Sequence, residues 1–310
     1  MRIAVVDLGT NTFNLLIAET LFGGKFETLY NEKLPVKLGE GGINKGIIME
    51  AAFLRGIEAM ENYASTIKQW EAEKTLAFAT SAVRNASNGN GFVEIVKAKT
   101  GIEIQVISGD REAELISVGV RQAVNLSAKP SLVIDIGGGS TEFIIVDHEK
   151  ILWKQSFEIG ASRLWQRFEP SDPINENERT AMVDYLLEQL QPLWQAAKKF
   201  QVTELIGASG SFESLAELVN ARFKSLPGLS DKTECEFELE QCGEIHNEIL
   251  ASSRAERLKW KGLVAMRVDL IVVSAILVET VVSQLSISKM RYSAYSLKEG
   301  VLWDFLNGKK

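Results

Sequence analysis

The chain opens on an apolar run, residues 3–6, closed by Asp7-Leu8-Gly9-Thr10-Asn11-Thr12 and followed by a second apolar run over 13–18. Two such runs around a turn rich in Gly, Asn and Thr predict a β-hairpin. Beyond a glycine-rich loop, Leu38-Gly39-Glu40-Gly41-Gly42, the residues Phe53, Leu54, Ile57, Met60, Tyr63 and Ile67 recur at helical spacing and predict a helix over 49–70. A strand over 75–79, a helix over 91–99 and a strand over 102–107 follow. Asp110 is the expected N-cap of a helix beginning Arg111-Glu112-Ala113-Glu114.

The opening pattern then returns. Val133-Ile134-Asp135-Ile136-Gly137-Gly138-Gly139-Ser140-Thr141-Glu142-Phe143-Ile144-Ile145-Val146-Asp147 matches Val5-Val6-Asp7-Leu8-Gly9-Thr10-Asn11-Thr12-Phe13-Asn14-Leu15-Leu16-Ile17-Ala18-Glu19 without a gap. Repetition of a whole supersecondary unit predicts two related α/β domains, each starting with the same hairpin. The polar stretch 125–130 places the boundary, giving domains over 1–125 and 126–310. The second half is expected to carry a long helix over 176–200 and a strand-to-turn unit at Leu205-Ile206-Gly207-Ala208-Ser209-Gly210-Ser211. An almost wholly apolar helix over 266–285 should be buried. A strand, a turn and a terminal helix close the chain over 291–302, and that helix is a candidate to pack back on the first domain.

Composition narrows the class. With 45% hydrophobic and 24% charged residues the chain is ordinarily globular. A net charge of −7 argues against nucleic acid. It does not exclude a polyanionic ligand, because exposed charges are screened beyond about 8 Å and only the field inside a cleft matters. The most apolar stretch, 270–278, is far shorter than the ~20 residues of a membrane span. Asp7 interrupts the N-terminus too early for a signal peptide, so a soluble cytoplasmic protein is expected. Cys235 and Cys242 fit no zinc or redox pattern and read as reduced thiols.

Glycines for close backbone approach and small hydroxyls as extra donors are what a phosphate-binding loop needs. Gly137, Gly138, Gly139, Ser140 and Thr141 supply them, and Gly9, Thr10, Asn11 and Thr12 do so in the first copy. No Gly-x-x-x-x-Gly-Lys-[Ser/Thr] motif is present. Asp7 and Asp135 hold equivalent strand ends and should face each other across an interdomain cleft. As hard oxygen ligands they suit Mg²⁺; alternatively each caps its own loop. His148 and His246, the only histidines, read as surface residues, which leaves carboxylates as general bases. Glu112 and Glu114 are equal candidates, against a bland role complementing the helix dipole.

The ordered series Val6-Asp7-Leu8-Gly9-Thr10-Asn11-Thr12, Leu38-Gly39-Glu40-Gly41, Ala79-Thr80-Ser81-Ala82-Val83-Arg84, Ile107-Ser108-Gly109-Asp110-Arg111-Glu112-Ala113, Asp135 to Glu142 and Ala208-Ser209-Gly210-Ser211 resembles the exopolyphosphatase/guanosine pentaphosphate phosphohydrolase (Ppx/GppA) family over nearly the whole chain. The resemblance implies two duplicated actin-like, ribonuclease H-like α/β domains with a phosphate cleft between them. It implies release of terminal orthophosphate from inorganic polyphosphate or guanosine pentaphosphate by Mg²⁺-assisted attack of water. By position, Glu112 matches the family's general base, and Asp135 and Glu142 match acids around the metal and the lytic water. Arg84 matches a contact to the bound chain. Gly9 to Thr12, Gly137 to Thr141, and Ser209, Gly210 and Ser211 match the phosphate loops.

Three departures qualify the match. Asn14 and Lys298 stand where Arg is common, and the C-terminal helical portion of longer members is missing, which favours short chains. The expected partner is a polyanionic substrate, with no nucleic acid or membrane, and a homodimer is the candidate assembly. The rival readings are a kinase or ATPase of the same superfamily and a catalytically weak polyphosphate or alarmone sensor.

Overall fold

Residues 3–6 and 15–18 are apolar on both faces, so the hairpin they form must be covered on both sides. The computed structural model, which describes residues 1–22, 25–226, 229 and 232–308, shows what covers it. Strands β1 (Arg2–Leu8) and β2 (Phe13–Thr20) pair antiparallel and β3 (Phe26–Leu34) extends the meander. Helix α1 (Glu50–Gln69) then leads to β4 (Lys74–Ala79), which lies parallel to β1. Helices α2 (Ser81–Arg84) and α3 (Gly89–Thr100) precede β5 (Ile104–Val106), and α4 (Gly109–Ala123) follows it. The sheet order is β3-β2-β1-β4-β5.

The second half repeats this plan. Strands β6 (Ser131–Ile136), β7 (Thr141–Val146) and β8 (Ile151–Phe157) form the same meander. Helices α5 (Ala161–Phe168), α6 (Glu176–Gln189) and α7 (Gln191–Phe200) lead to β9 (Glu204–Ala208), parallel to β6. Helix α8 (Ser209–Phe223), strand β10 (Glu234–Phe237), helices α9 (Leu239–Ala251), α10 (Arg254–Arg257) and α11 (Leu270–Leu285), strand β11 (Lys289–Ser293) and helix α12 (Leu297–Asn307) complete the chain. The order β10-β11-β9-β6-β7-β8 is that of the first sheet with one antiparallel edge strand added. The registers repeat as well: Asp7 opposes Asn14, and Asp135 opposes Glu142.

Three apolar clusters result. Ala4, Val6 and Leu8 face α1 and α3, and Leu132, Ile134 and Ile136 face α6, α7 and α11. The opposite faces, Ile3 and Val5 of β1 with Val133 of β6, meet in a third cluster built on α4 and α12. These two helices are the last of each half. Helix α4 lies against β7 and β8 of the second sheet, and α12 lies against β1 of the first. Each half therefore lends its final helix to the other. The two helices cross where glycines let their backbones touch. A Cβ on Gly300 would sit 1.8 Å from the Leu115 carbonyl oxygen, and one on Gly119 would sit 2.1 Å from that of Ser296.

Several expectations are corrected. The helix expected over 176–200 is broken at Leu190, because Pro192 lacks the N–H that would continue the ladder. The N-cap of α4 is Ser108, whose hydroxyl accepts from the Arg111 amide, and Asp110 lies inside the first turn. Leu54 lies off the buried stripe of α1 and is exposed. His246 is buried in α9 rather than on the surface, whereas His148 is exposed. Strand β3 carries polar residues in irregular order and β10 alternates over only four residues, so neither announces itself in the sequence. Cys235 and Cys242 are free thiols, and no helix among the described residues is long and apolar enough to cross a membrane.

Replacing Gly300 by Ala forces the two crossing helices apart. We expect a loss of about 1–3 kcal/mol or more in urea unfolding. Gly91→Ala in α3, where an added Cβ meets nothing, is the matched control. It should be neutral or stabilising by about 0.4–1 kcal/mol.

Candidate active site

The two hairpin turns are built alike. In the first, the Thr10 and Asn11 carbonyls accept from the amides of Gly39 and Lys37 at 3.0 and 2.8 Å. In the second, the Gly137, Gly138 and Gly139 carbonyls accept from the amides of Ala161, Ser162 and Gly160 at 2.8, 2.9 and 3.2 Å. A peptide is planar and trans, so tying each carbonyl outward turns the next residue's N–H the opposite way. The amides of Asn11 and Thr12 and of Gly138, Gly139 and Ser140 thus face away from their supports, in turns that line one cleft of about 760 Å³. The turns also touch each other. A Cβ on Gly138 would lie 2.7 Å from Asn11 Nδ2, and one on Gly139 would lie 2.5 Å from Ser81 Oγ. Close approach, rather than a positive φ, is what requires glycine at both positions.

Asp7, Glu112 and Asp135 all line this cleft, as do Ser209, Gly210 and Ser211. Asp7 Oδ2 accepts from Asn14 Nδ2 at 3.0 Å, while its Oδ1 is buried without a hydrogen-bond partner among the described residues. Asp135 accepts from Ser209 Oγ at 2.6 Å and, through its other oxygen, from Ser296 Oγ. Ser209 makes that bond with φ at 60°, a left-handed conformation unusual for a residue with a Cβ. Ser296 is the N-cap residue of α12, and Glu299 closes the capping box by accepting from its amide at 3.0 Å. Helices α4 and α12 thus both begin at the cleft, one presenting Glu112 and the other Lys298.

Glu112 and Glu114 separate clearly. Glu112 is 7% exposed and accepts from Arg84 Nη1 at 2.9 Å. Glu114 is half-exposed and tied to Lys154 at 2.5 Å and Arg111 at 3.2 Å, outside the cleft. Arg84 does not line the cleft. Its guanidinium also donates to the Ile107 carbonyl at 3.1 Å and lies 3.6 Å from Glu158, so in this structure it supports Glu112 from behind. Thr141 and Glu142 are likewise behind the lining, fully buried in β7. Thr141 donates to the Ile159 carbonyl at 3.3 Å, and Glu142 accepts from Ser156 Oγ at 2.7 Å.

Burial dominates the electrostatics. It pushes the Asp7 carboxyl up to about 7 against the pull of Asn14 and Lys298, with the Asp135 charge adding to the rise. Burial also raises Glu112, against Arg84, and the charges of Asp7 and Asp135 push the same way. Asp135 is raised by burial despite its two serine hydroxyls, and Glu142 is raised by burial and then by Glu112 and Asp135. Lys298 keeps its charge above the usual lysine range: burial opposes it, but Glu299, Asp7 and Glu213 outweigh burial. The cleft thus concentrates carboxylates for which Lys298 and Arg84 are insufficient counter-charge. It attracts protons, or a cation, to its floor.

Residues from the two halves close the rim. Ser162 Oγ and Asn11 Oδ1 are 2.5 Å apart, Gln166 donates to the Gly39 carbonyl at 3.1 Å, and Arg163 donates to the Ile43 carbonyl at 2.9 Å. Farther along, Lys33 bonds Glu213 at 2.7 Å.

The family model described as the Ppx/GppA phosphatase family matches residues 16–308. The chain belongs to that family. A crystal structure of an exopolyphosphatase from Cytophaga hutchinsonii superimposes with a TM-score of 0.96 at 42% identity, covering 100% of this chain and 99% of that one. Exopolyphosphatase 1 of Mycobacterium tuberculosis is 29% identical over 97% of this chain and 87% of its own length. The Aquifex aeolicus Ppx/GppA family member, at 24% identity and a TM-score of 0.82 over 100% of this chain and 99% of its own, shares the fold. That fold is the duplicated actin-like α/β architecture. Within this Ppx/GppA member, sequence reasoning overlooked Ser296, Ser81 and Glu158. Ser296 had a signal: it follows the last strand of its half as Ser108 follows β5.

A carboxyl raised in the folded state binds its proton more tightly there than when unfolded. Its stabilisation is present below its ordinary pKa and is lost as pH rises through the folded value. For Asp7 that window runs from 3.8 to about 7. Metal-free protein should lose stability across it, by at most about 1.4 kcal/mol per pH unit for this proton. Asp7→Asn should flatten that part of the slope in urea unfolding followed from pH 4 to 8 with EDTA.

Proposed function

We propose that this chain is an exopolyphosphatase that removes terminal orthophosphate from inorganic polyphosphate. The observation that carries the reading is the placement of Glu112, a buried carboxylate of raised pKa, in a cleft whose walls are two copies of one amide-lined turn. The relatives named exopolyphosphatases support the same substrate class.

The residues divide the work of phosphoryl transfer, which is mostly positioning and charge stabilisation. The turn amides hold the non-bridging oxygens of the terminal phosphoryl group, and the hydroxyls of Thr10 and Ser211 add donors. Glu112, oriented by Arg84, accepts a proton from water as its oxygen bonds the terminal phosphorus. The bridging P–O bond breaks, orthophosphate leaves, and the chain departs one unit shorter. The raised pKa of Glu112 brings it towards the working range of a general base. Glu142 stands behind the cleft lining, where burial and then the neighbouring Glu112 charge raise its own carboxyl, so it meets the site through Glu112 rather than at the substrate.

Mg²⁺ is the cation this reading assigns. Among the described residues no group of three or more Asp, Glu, His or Cys is arranged to hold a metal. Mg²⁺ does not require one, because it keeps several waters and binds through one or two carboxylates plus substrate phosphates. The unpartnered Asp7 Oδ1 fits such a ligand, with Asp135 as the second. Bound there, the ion would neutralise charge on the carboxylates and the substrate.

Phosphate release should be measured from short polyphosphate, long polyphosphate and guanosine pentaphosphate, each with Mg²⁺ and with EDTA. Release from polyphosphate should require Mg²⁺ and fall at least ~100-fold in Glu112→Gln, with an unchanged circular dichroism spectrum. Full activity in that variant would remove Glu112 from the mechanism. Turnover of guanosine pentaphosphate alone would replace the assigned substrate.

A further inference from the structure

The duplication sets two rows of side chains against each other, and they differ in charge. In the second sheet Asp135, Glu142 and Ser156 are Cα partners on neighbouring strands; in the first sheet the row is Asp7, Asn14 and Lys33. Partners in register project from the same face of a sheet. The acidic row meets the start of α4, where a Cβ on Gly109 would lie 2.4 Å from Ser156. The other row meets α12, where Lys298 interacts with Asp7. Two strand spacings put Lys33 ~10 Å from Asp7 along the sheet. That is farther than a single phosphoryl group reaches while held at the Asp7 end.

At that far end one carboxylate occupies a cationic site. Lys33 Nζ donates to both oxygens of Glu213, at 3.0 and 2.7 Å, and Arg267 Nη2 donates to one of them at 3.1 Å. Arg267 is itself held by the Gly210 carbonyl and by Ser214 Oγ at 3.0 Å. Lys298 lies within electrostatic reach of both Asp7 and Glu213. Lys33, Glu213, Arg267 and Lys298 all line the cleft. A lysine and an arginine gripping two oxygens of one anion is also the arrangement that grips a phosphate.

We propose that Glu213 occupies a second phosphate subsite, formed by Lys33 and Arg267, which receives the chain beyond its reacting end. This rests on the polyphosphate reading of the cleft. A chain anchored in the turns presents its next phosphates at high effective concentration and with more charge than a carboxylate, so it displaces Glu213. Pyrophosphate, anchored in the same turns, is too short to do so. The subsite thereby sets a preference for chains over the shortest substrates.

Binding can be read without turnover in a Glu112→Gln background, by calorimetry with pyrophosphate and with long-chain polyphosphate in Mg²⁺ buffer. Adding Glu213→Gln should tighten long-chain binding several-fold and leave pyrophosphate unchanged, and further addition of Lys33→Met should abolish the gain. Lys33→Met alone in the Glu112→Gln background should weaken long-chain binding only. Unchanged or weaker long-chain binding on adding Glu213→Gln would make Glu213 a strap between the halves and overturn the subsite. Equal tightening for pyrophosphate would overturn its placement. If the Glu112→Gln protein bound neither ligand, the polyphosphate reading would fail and the subsite with it.

Discussion

The crossing of α4 and α12 is the contact on which the rest of the molecule depends. Gly119 and Gly300 allow the two backbones to meet between the sheets, where side chains from both halves share one apolar cluster. Because each helix begins at the cleft, this crossing also fixes what the cleft contains. A shift of α4 on α12 would carry Glu112 relative to Lys298 and the Ser296–Asp135 bond. Packing and chemistry are set by the same two glycines.

The cleft pays in stability for its arrangement. Glu112, Asp135 and Glu142 are buried beside the partly buried Asp7, and desolvation raises every one of them from its ordinary value. Such a cluster is unfavourable in the resting protein and becomes favourable when a cation or proton arrives. Preorganised, strained sites of this kind exchange stability for function. The left-handed Ser209 belongs to the same pattern, since its backbone conformation is compensated by the hydroxyl bond to Asp135.

The duplication repeats the hairpin backbone and is unequal in chemistry. Both hairpins share strand order, register and turn supports, yet one row carries Glu142 beside Asp135 and the other carries Asn14 beside Asp7. Asn14 donates to Asp7, whereas Glu142 adds to the negative charge around Glu112. Identical folding instructions have thus been kept while the side chains that decide charge have diverged. The cleft is pseudo-symmetric in backbone and unequal in charge at its two ends.

The sequence by itself determined the hairpins, their duplication and the turns that line the cleft. Those features depend on local order: apolar runs of fixed length, glycines at the turn, and a repeat readable residue by residue. Pro192 was visible too, although its effect on the long helix went unread. Only the tertiary structure decided that Glu112 rather than Glu114 reaches the cleft, that Arg84 stands behind Glu112, and that Ser296 and Glu213 enter the site at all. Those outcomes follow from the crossing of α4 and α12 and from the closure of one half on the other. Such contacts join residues more than a hundred positions apart, as the Ser296–Asp135 and Lys33–Glu213 bonds do. Local pattern carries no record of such pairings, because their energy exists only when both halves are in place.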